Sequence, residues 1–165
     1  MLPLIVDPST VKVGLAGTGE ALARRQAHLA DANIQPIPIR PDDREALSGL
    51  DILYVAGLAQ DVSAALAGRA RALGILVNVE DVPALCDFHV PATVRRGDLL
   101  LTVSSAGRAP ALVRMIREWL SDRFGAEWSS RVAEIGVRRA DWRAEGLSPA
   151  RISEKTRALA ARWFG

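Results

Sequence analysis

The chain has 165 residues, 49% hydrophobic and 24% charged, which is rich enough in apolar side chains for a globular core. Its 21 Lys and Arg against 19 Asp and Glu leave a net charge of +2, which gives no support to a nucleic-acid partner. No stretch approaches the ~20 apolar residues of a membrane-spanning helix, and the single cysteine, Cys86, excludes an intrachain disulfide.

Val11 to Ala16 reads as a buried strand running into glycines, and Glu20 to Ala32 as a helix of good helix formers. Ile34 to Ile39 reads as a second strand, interrupted by Pro36 and Pro38. Two prolines two residues apart lose their N–H groups on one edge, so this strand is expected at the border of the sheet. Asp51 to Gly57 is a third strand, Asp61 to Leu73 a second helix ending before Gly74, and Ile75 to Val79 a fourth strand. The alternation predicts a parallel sheet with helices packed on it. Beyond Asp81 the pattern changes. Phe88 to Val94 and Leu99 to Ser104 read as two strands meeting at a turn over Arg95 to Asp98. Pro110 to Phe124 is a strong helix with Leu112, Ile116 and Leu120 on one face and Val113 and Trp119 beside it. The tail reads as two helical pieces broken near Gly146 to Pro149.

Three segments carry chemistry. Gly14-Leu15-Ala16-Gly17-Thr18-Gly19 lies between a strand and a helix, where glycines let backbone approach a pyrophosphate. It also reads as a ligand-free glycine turn, and Leu22 stands where the dinucleotide fingerprint has a small residue, which should push helix and strand apart. Arg40 ends the second strand, at the place of the usual ribose-binding acid. It suits a 2′-phosphate, or it is a solvated arginine. Asn78-Val79-Glu80-Asp81 closes the fourth strand with two carboxylates, fit for proton transfer or metal ligation, or for capping local backbone. Ser104 to Pro110 is a polar glycine loop feeding a helix, fit for an anion or for a plain helix cap. Cys86 reads as structural, and neither His28 nor His89 has metal-ligand spacing.

Together these segments resemble the family of precorrin-2 dehydrogenases and sirohydrochlorin ferrochelatases of siroheme synthesis, including the N-terminal part of siroheme synthase. The resemblance rests on Asn78 to Asp81 against the family's NVVD, then Cys86-Asp87-Phe88, Pro91-Ala92, Arg96-Gly97-Asp98 and Val103 to Ala111. Leu2-Pro3-Leu4 and Gly17-x-Gly19 with Arg24 also match. The likeness covers about residues 1–124 and leaves the tail outside it. The chain departs from the family in three places. The segment from Ala56 to Ser63 lacks the family's Thr and following acid, there is no room for an extra strand between Arg40 and Asp51, and Leu22 is large.

The resemblance implies a Rossmann-like α/β sheet, one strand short of the family pattern and with a proline-bearing edge strand, over residues 1–90. A dimerisation segment over 91–124 and a helical tail over 125–165 follow. It implies NAD-dependent oxidation of precorrin-2 to sirohydrochlorin, with ferrochelatase activity in bifunctional members. NAD, or NADP through Arg40, would meet Gly17, Thr18, Gly19, Glu20, Ala21, Arg40 and Pro41. Asp81 would be the general base and a transient metal ligand in chelation. Asn78, Ser104, Ser105, Gly107 and Arg108 would bind the tetrapyrrole, whose carboxylates also suit Arg95 and Arg96. The Asp81 strand tip and the Ser105 loop are expected to close over one macrocycle in a homodimer. The departures motivate a second reading, a non-redox tetrapyrrole- or metal-binding relative. A soluble cytoplasmic protein with no membrane or nucleic-acid partner is expected.

Overall fold

The computed structural model describes residues 2–43 and 45–164, which fall into two compact units, Met1–Val90 and Pro91–Gly165. In the first, β1 (Val13–Gly17), β2 (Ile37–Pro38), β3 (Ile52–Ala56) and β4 (Leu76–Val79) form a parallel sheet in the order β2-β1-β3-β4. Helices α1 (Gly19–Ala30) and α2 (Gln60–Ala72) connect the strands. The fold class read from the sequence is the one observed.

Strand alternation divides the core in two. Leu53, Val55, Val77 and Val79 face α2 and pack with Leu66, Ala67 and Ala70. Val13, Leu15, Ile52 and Tyr54 face α1 and pack with Leu22 and Leu29. Asn78 and Glu80, the residue just past the end of β4, share the α1 side with Tyr54, so this side carries polar groups where the other carries Val77 and Val79.

β2 is the border strand, as the prolines require. Ile39 N–H bonds Leu15 O at 2.9 Å, so odd-numbered residues point their amides at β1, and Pro36 and Pro38 face the open edge. The strand is shorter than its predicted span. Ile34 N–H bonds Leu29 O and closes α1 after Asn33, which sits at φ 58°, so Ile34 caps the helix and does not enter the sheet. Among the described residues no strand lies between β2 and β3.

The second unit opens with an antiparallel hairpin, β5 (Ala92–Arg96) and β6 (Leu99–Val103). β5 starts four residues later than the predicted strand and ends two residues later, at Arg96, so the hairpin turns at Gly97-Asp98, with Gly97 at φ 57°. Helix α3 (Pro110–Arg123) packs on both strands, and α4 (Glu127–Ala144) contacts the hairpin and α5 (Pro149–Ala161). Arg96 locks this unit: its guanidinium donates to Phe124 O at 2.7 Å and to Ser121 O and Oγ at 3.0 Å. Ser148 caps α5, and the predicted break at Gly146 to Pro149 is the turn between α4 and α5. Among the described residues no helix is long and apolar enough to cross a membrane.

Leu53 is fully buried at the centre of the larger core, and Leu73 is 60% exposed. Leu53→Ala is expected to lower unfolding free energy by about 2–5 kcal/mol, and Leu73→Ala by about 0.5 kcal/mol or less. Urea denaturation of the two variants measures both.

Candidate functional site

The C-terminal ends of β1 and β3 cross at very close range. Thr18 N–H donates to Ala56 O at 3.1 Å, and Thr18 Oγ1 donates to Gly57 O at 2.8 Å. A Cβ on Gly17 would stand 2.2 Å from Ala56 O, and one on Gly57, at φ 71°, would stand 2.5 Å from Thr18 O. Both glycines are therefore fixed by sterics within the protein itself.

Because the Thr18 hydroxyl is engaged by Gly57, it does not cap α1. The amides of the first turn, including those of Glu20 and Ala21, have no side-chain cap. Gly19 at φ 61° has open space around its Cβ position. Uncapped amides, a positive helix end and an open approach fit a pyrophosphate. Glu20 brings a carboxylate to the same turn, with its side chain 97% exposed. Leu22 does not push α1 away. Its Cβ lies 3.3 Å from the Cβ position of Gly17, and its side chain joins the Val13, Leu15 and Leu29 cluster, where the glycine leaves room for it. Arg40 is exposed, with Nε 3.9 Å from Asp42 Oδ1, and Pro41 O accepts from the Arg69 guanidinium.

Asp81 follows β4 in the left-handed region, at φ 61°. Its exposed carboxylate has no hydrogen bond or ion pair among the described residues. The turn beneath it is held from behind. Glu80 N–H bonds Val55 O at 2.9 Å, and Val82 N–H bonds Val79 O at 3.3 Å.

Cys86, Asp87 and Phe88 then fold back on β4, the open edge of the sheet. Cys86 Sγ accepts from Val79 N–H at 3.3 Å and donates to Val79 O at 3.1 Å. Asp87 accepts from Val77 N–H at 2.9 Å and Arg71 Nε at 2.8 Å, while its own N–H bonds Val77 O at 2.8 Å. Asn78, 7% exposed, donates its amide to Phe88 O at 2.9 Å. The Phe88 ring meets Tyr54 edge-on at 5.4 Å. These three residues thus act as a clasp on the edge strand. Sequence reading finds Cys86 structural but gives no sign of what it fastens. Burial raises the Tyr54 phenol above its ordinary pKa, while the Arg25 guanidinium over its ring pulls the other way.

In the second unit, Ser105 Oγ accepts from Ala109 N–H at 3.0 Å and Ser104 Oγ from Ala106 N–H at 3.3 Å. Ala106 and Gly107 are both left-handed, and Arg108 is exposed. This loop leads into α3 with no side-chain cap on the helix. Of the arginines assigned to substrate carboxylates, Arg95 is exposed, whereas Arg96 is engaged by the backbone of Ser121 and Phe124. Among the described residues no group of three or more His, Cys, Asp or Glu is placed to hold a metal.

A family described as putative NAD(P)-binding matches residues 4–92. The chain belongs to this family. Siroheme synthases of Stutzerimonas stutzeri and Ectopseudomonas mendocina are 31% and 32% identical to it, over 97% and 85% of the chain and 36% and 34% of their own lengths. The siroheme synthase of Methylobacillus flagellatus is 45% identical over 43% of the chain and 15% of its own length. The chain thus spans about a third of the length of the first two relatives. The solved structure of SirC, a precorrin-2 dehydrogenase, superposes with a TM-score of 0.75 at 20% identity, covering 96% of this chain and 89% of that one, which is a likeness of fold. The resemblance read from the sequence to the precorrin-2 dehydrogenase and ferrochelatase family is borne out. Its extent is corrected: alignment over 97% of the chain carries the likeness past residue 124 into the tail.

Gly17→Ala is expected to destabilise the protein by more than about 2 kcal/mol, because its Cβ meets rigid backbone. Gly68→Ala, inside α2 with open space around it, should stabilise it by about 0.5–1 kcal/mol. Thermal unfolding of both variants tests the contrast.

Proposed function

We propose that this chain is a precorrin-2 dehydrogenase of siroheme synthesis, oxidising precorrin-2 to sirohydrochlorin with NAD. The observation that carries the reading is Asp81, an unpaired carboxylate in a braced left-handed turn at the C-terminal end of a Rossmann-type strand. In such sheets the ligand crevice lies at those strand ends. The relatives named siroheme synthase and the fold shared with SirC support it.

Bound NAD would supply the two-electron acceptor for the hydride that leaves the macrocycle. Gly17, Thr18, Gly19, Glu20 and Ala21 would hold its pyrophosphate at α1, and Arg40 and Pro41 would border its adenosine end. Asp81 takes the proton that leaves the macrocycle with the hydride, which is why its carboxylate is kept free. From Asp81 that proton passes to solvent. Asn78 braces the Asp81 turn from within. Ser104, Ser105, Gly107 and Arg108, with Arg95, receive substrate carboxylates. Residues 91–165 carry fourteen Lys and Arg against eight Asp and Glu, a positive excess that suits a substrate rich in carboxylates.

Two finer activities extend the reading. In ferrochelation the metal ion is substrate, and Asp81 is its transient ligand and the acceptor of pyrrole protons. The chain works as a homodimer through α3, where Leu112, Met115, Ile116 and Trp119 are exposed at helical spacing. The competing reading is a non-redox tetrapyrrole binder. It draws on Arg40 standing where a ribose-binding acid is usual and on the Glu20 carboxylate at the pyrophosphate end.

Asp81→Asn is expected to lower kcat for NAD-dependent sirohydrochlorin formation by about 100-fold or more, with Kd for NAD within about twofold of the parent. Absorbance of sirohydrochlorin and isothermal titration of NAD and NADP measure the two. Sirohydrochlorin binding without nucleotide binding would replace the dehydrogenase reading by the non-redox one. Leu112→Ser with Trp119→Ser should turn a dimer into a monomer in analytical ultracentrifugation, and a parent that sediments as a monomer would contradict the homodimer.

A further inference from the structure

Where the family pattern has a valine before the key aspartate, this chain has Glu80. Its side chain is only 19% exposed and lies on the α1 side of the sheet. Oε1 is 3.8 Å from the guanidinium of Arg24 and 3.8 Å from that of Arg25, both on α1. Arg25 is itself only 13% exposed, and its guanidinium lies 5.2 Å from the centre of the Tyr54 ring. Tyr54 in turn meets Phe88 of the clasp, and Phe88 O holds Asn78. Glu80 follows the end of β4, two residues after Asn78, so the contacts close a ring: Glu80, Arg25, Tyr54, Phe88, Asn78 and back along the chain. Arg24 extends it to Glu20 in the first turn of α1, 3.8 Å away.

The pair of Arg25 with Glu80 is shielded from water, where Coulomb attraction acts with little screening. Glu80 Oε2 is buried with no hydrogen-bond partner among the described residues. A buried carboxylate without full hydrogen bonding is unfavourable. It is held here by the two cations, and a neutral side chain at this place would leave Arg25 uncompensated. We propose that Glu80 is a positioning residue that ties the Asp81 turn to α1, so that a ligand seated at the N-terminus of α1 is felt at Asp81. The proposal rests on the nucleotide reading above only for its second half, the response to ligand.

Cys86, the chain's one cysteine, is bonded to Val79 and Val82 of the same turn and so reports its opening. The experiment is the rate at which a thiol reagent labels Cys86 in the native protein. Without nucleotide, Glu80→Gln should be labelled about fivefold faster than the parent, the scale of one weakly screened ion pair. Arg25→Met breaks the same pair from α1, and it should act alike and non-additively with Glu80→Gln. Equal labelling rates in parent and variants overturn the proposal, whichever variant folds well enough to be measured. Saturating NAD should slow labelling of the parent and leave that of Glu80→Gln unchanged, with Kd for NAD equal within about twofold, a split that general loosening would not produce. NAD that binds both and slows both equally overturns the coupling. Absence of NAD binding to the parent overturns the nucleotide reading and the coupling with it, and leaves the tie itself to the labelling without nucleotide.

Discussion

The closure of β4's free edge is the constraint on which the candidate site depends. β4 ends the sheet on one side, and an open strand edge carries unpaired amides and carbonyls. Cys86, Asp87 and Phe88 supply partners for Val77, Asn78 and Val79 in place of a fifth strand. That same closure fixes the chain on both sides of Asp81. A left-handed non-glycine residue is strained by about 1–3 kcal/mol and persists only where its surroundings over-determine it. The Asp81 carboxylate at this turn has no hydrogen bond or ion pair among the described residues.

The opposite end of the site is built by exclusion. Gly17 and Gly57 let the tips of β1 and β3 touch, and the Thr18 hydroxyl closes that contact instead of capping α1. An uncapped helix end results from how the two loops interlock. The large Leu22, a departure from the dinucleotide fingerprint, is accommodated because Gly17 has no side chain in its way. The nucleotide side of the protein is thus altered in sequence without losing the geometry that the fingerprint serves.

Much of this was legible in the residues. Pro36 and Pro38 identify the border strand, because the direction of missing N–H groups is a local property of the chain. Gly17-x-Gly19 marks the strand-to-helix junction, and the break between α4 and α5 follows from Gly146 and Pro149. The short β2 was not legible, since Ile34 looks like any strand residue until its amide is seen closing α1. Arg96 looked like a ligand for substrate carboxylates, and only tertiary structure shows it bound to the end of α3. The ring through Glu80, Arg25 and Tyr54 joins segments that share no periodicity, and no spacing in the sequence announces it.

Native-state hydrogen exchange of the Val77 and Val79 amides in Asp87→Ala tests the clasp most directly. Both amides are expected to lose at least about tenfold of their protection, while amides of β3 keep theirs. Unchanged protection at Val77 and Val79 would mean that the edge of β4 is held by something else, and that the Asp81 turn does not owe its shape to the clasp.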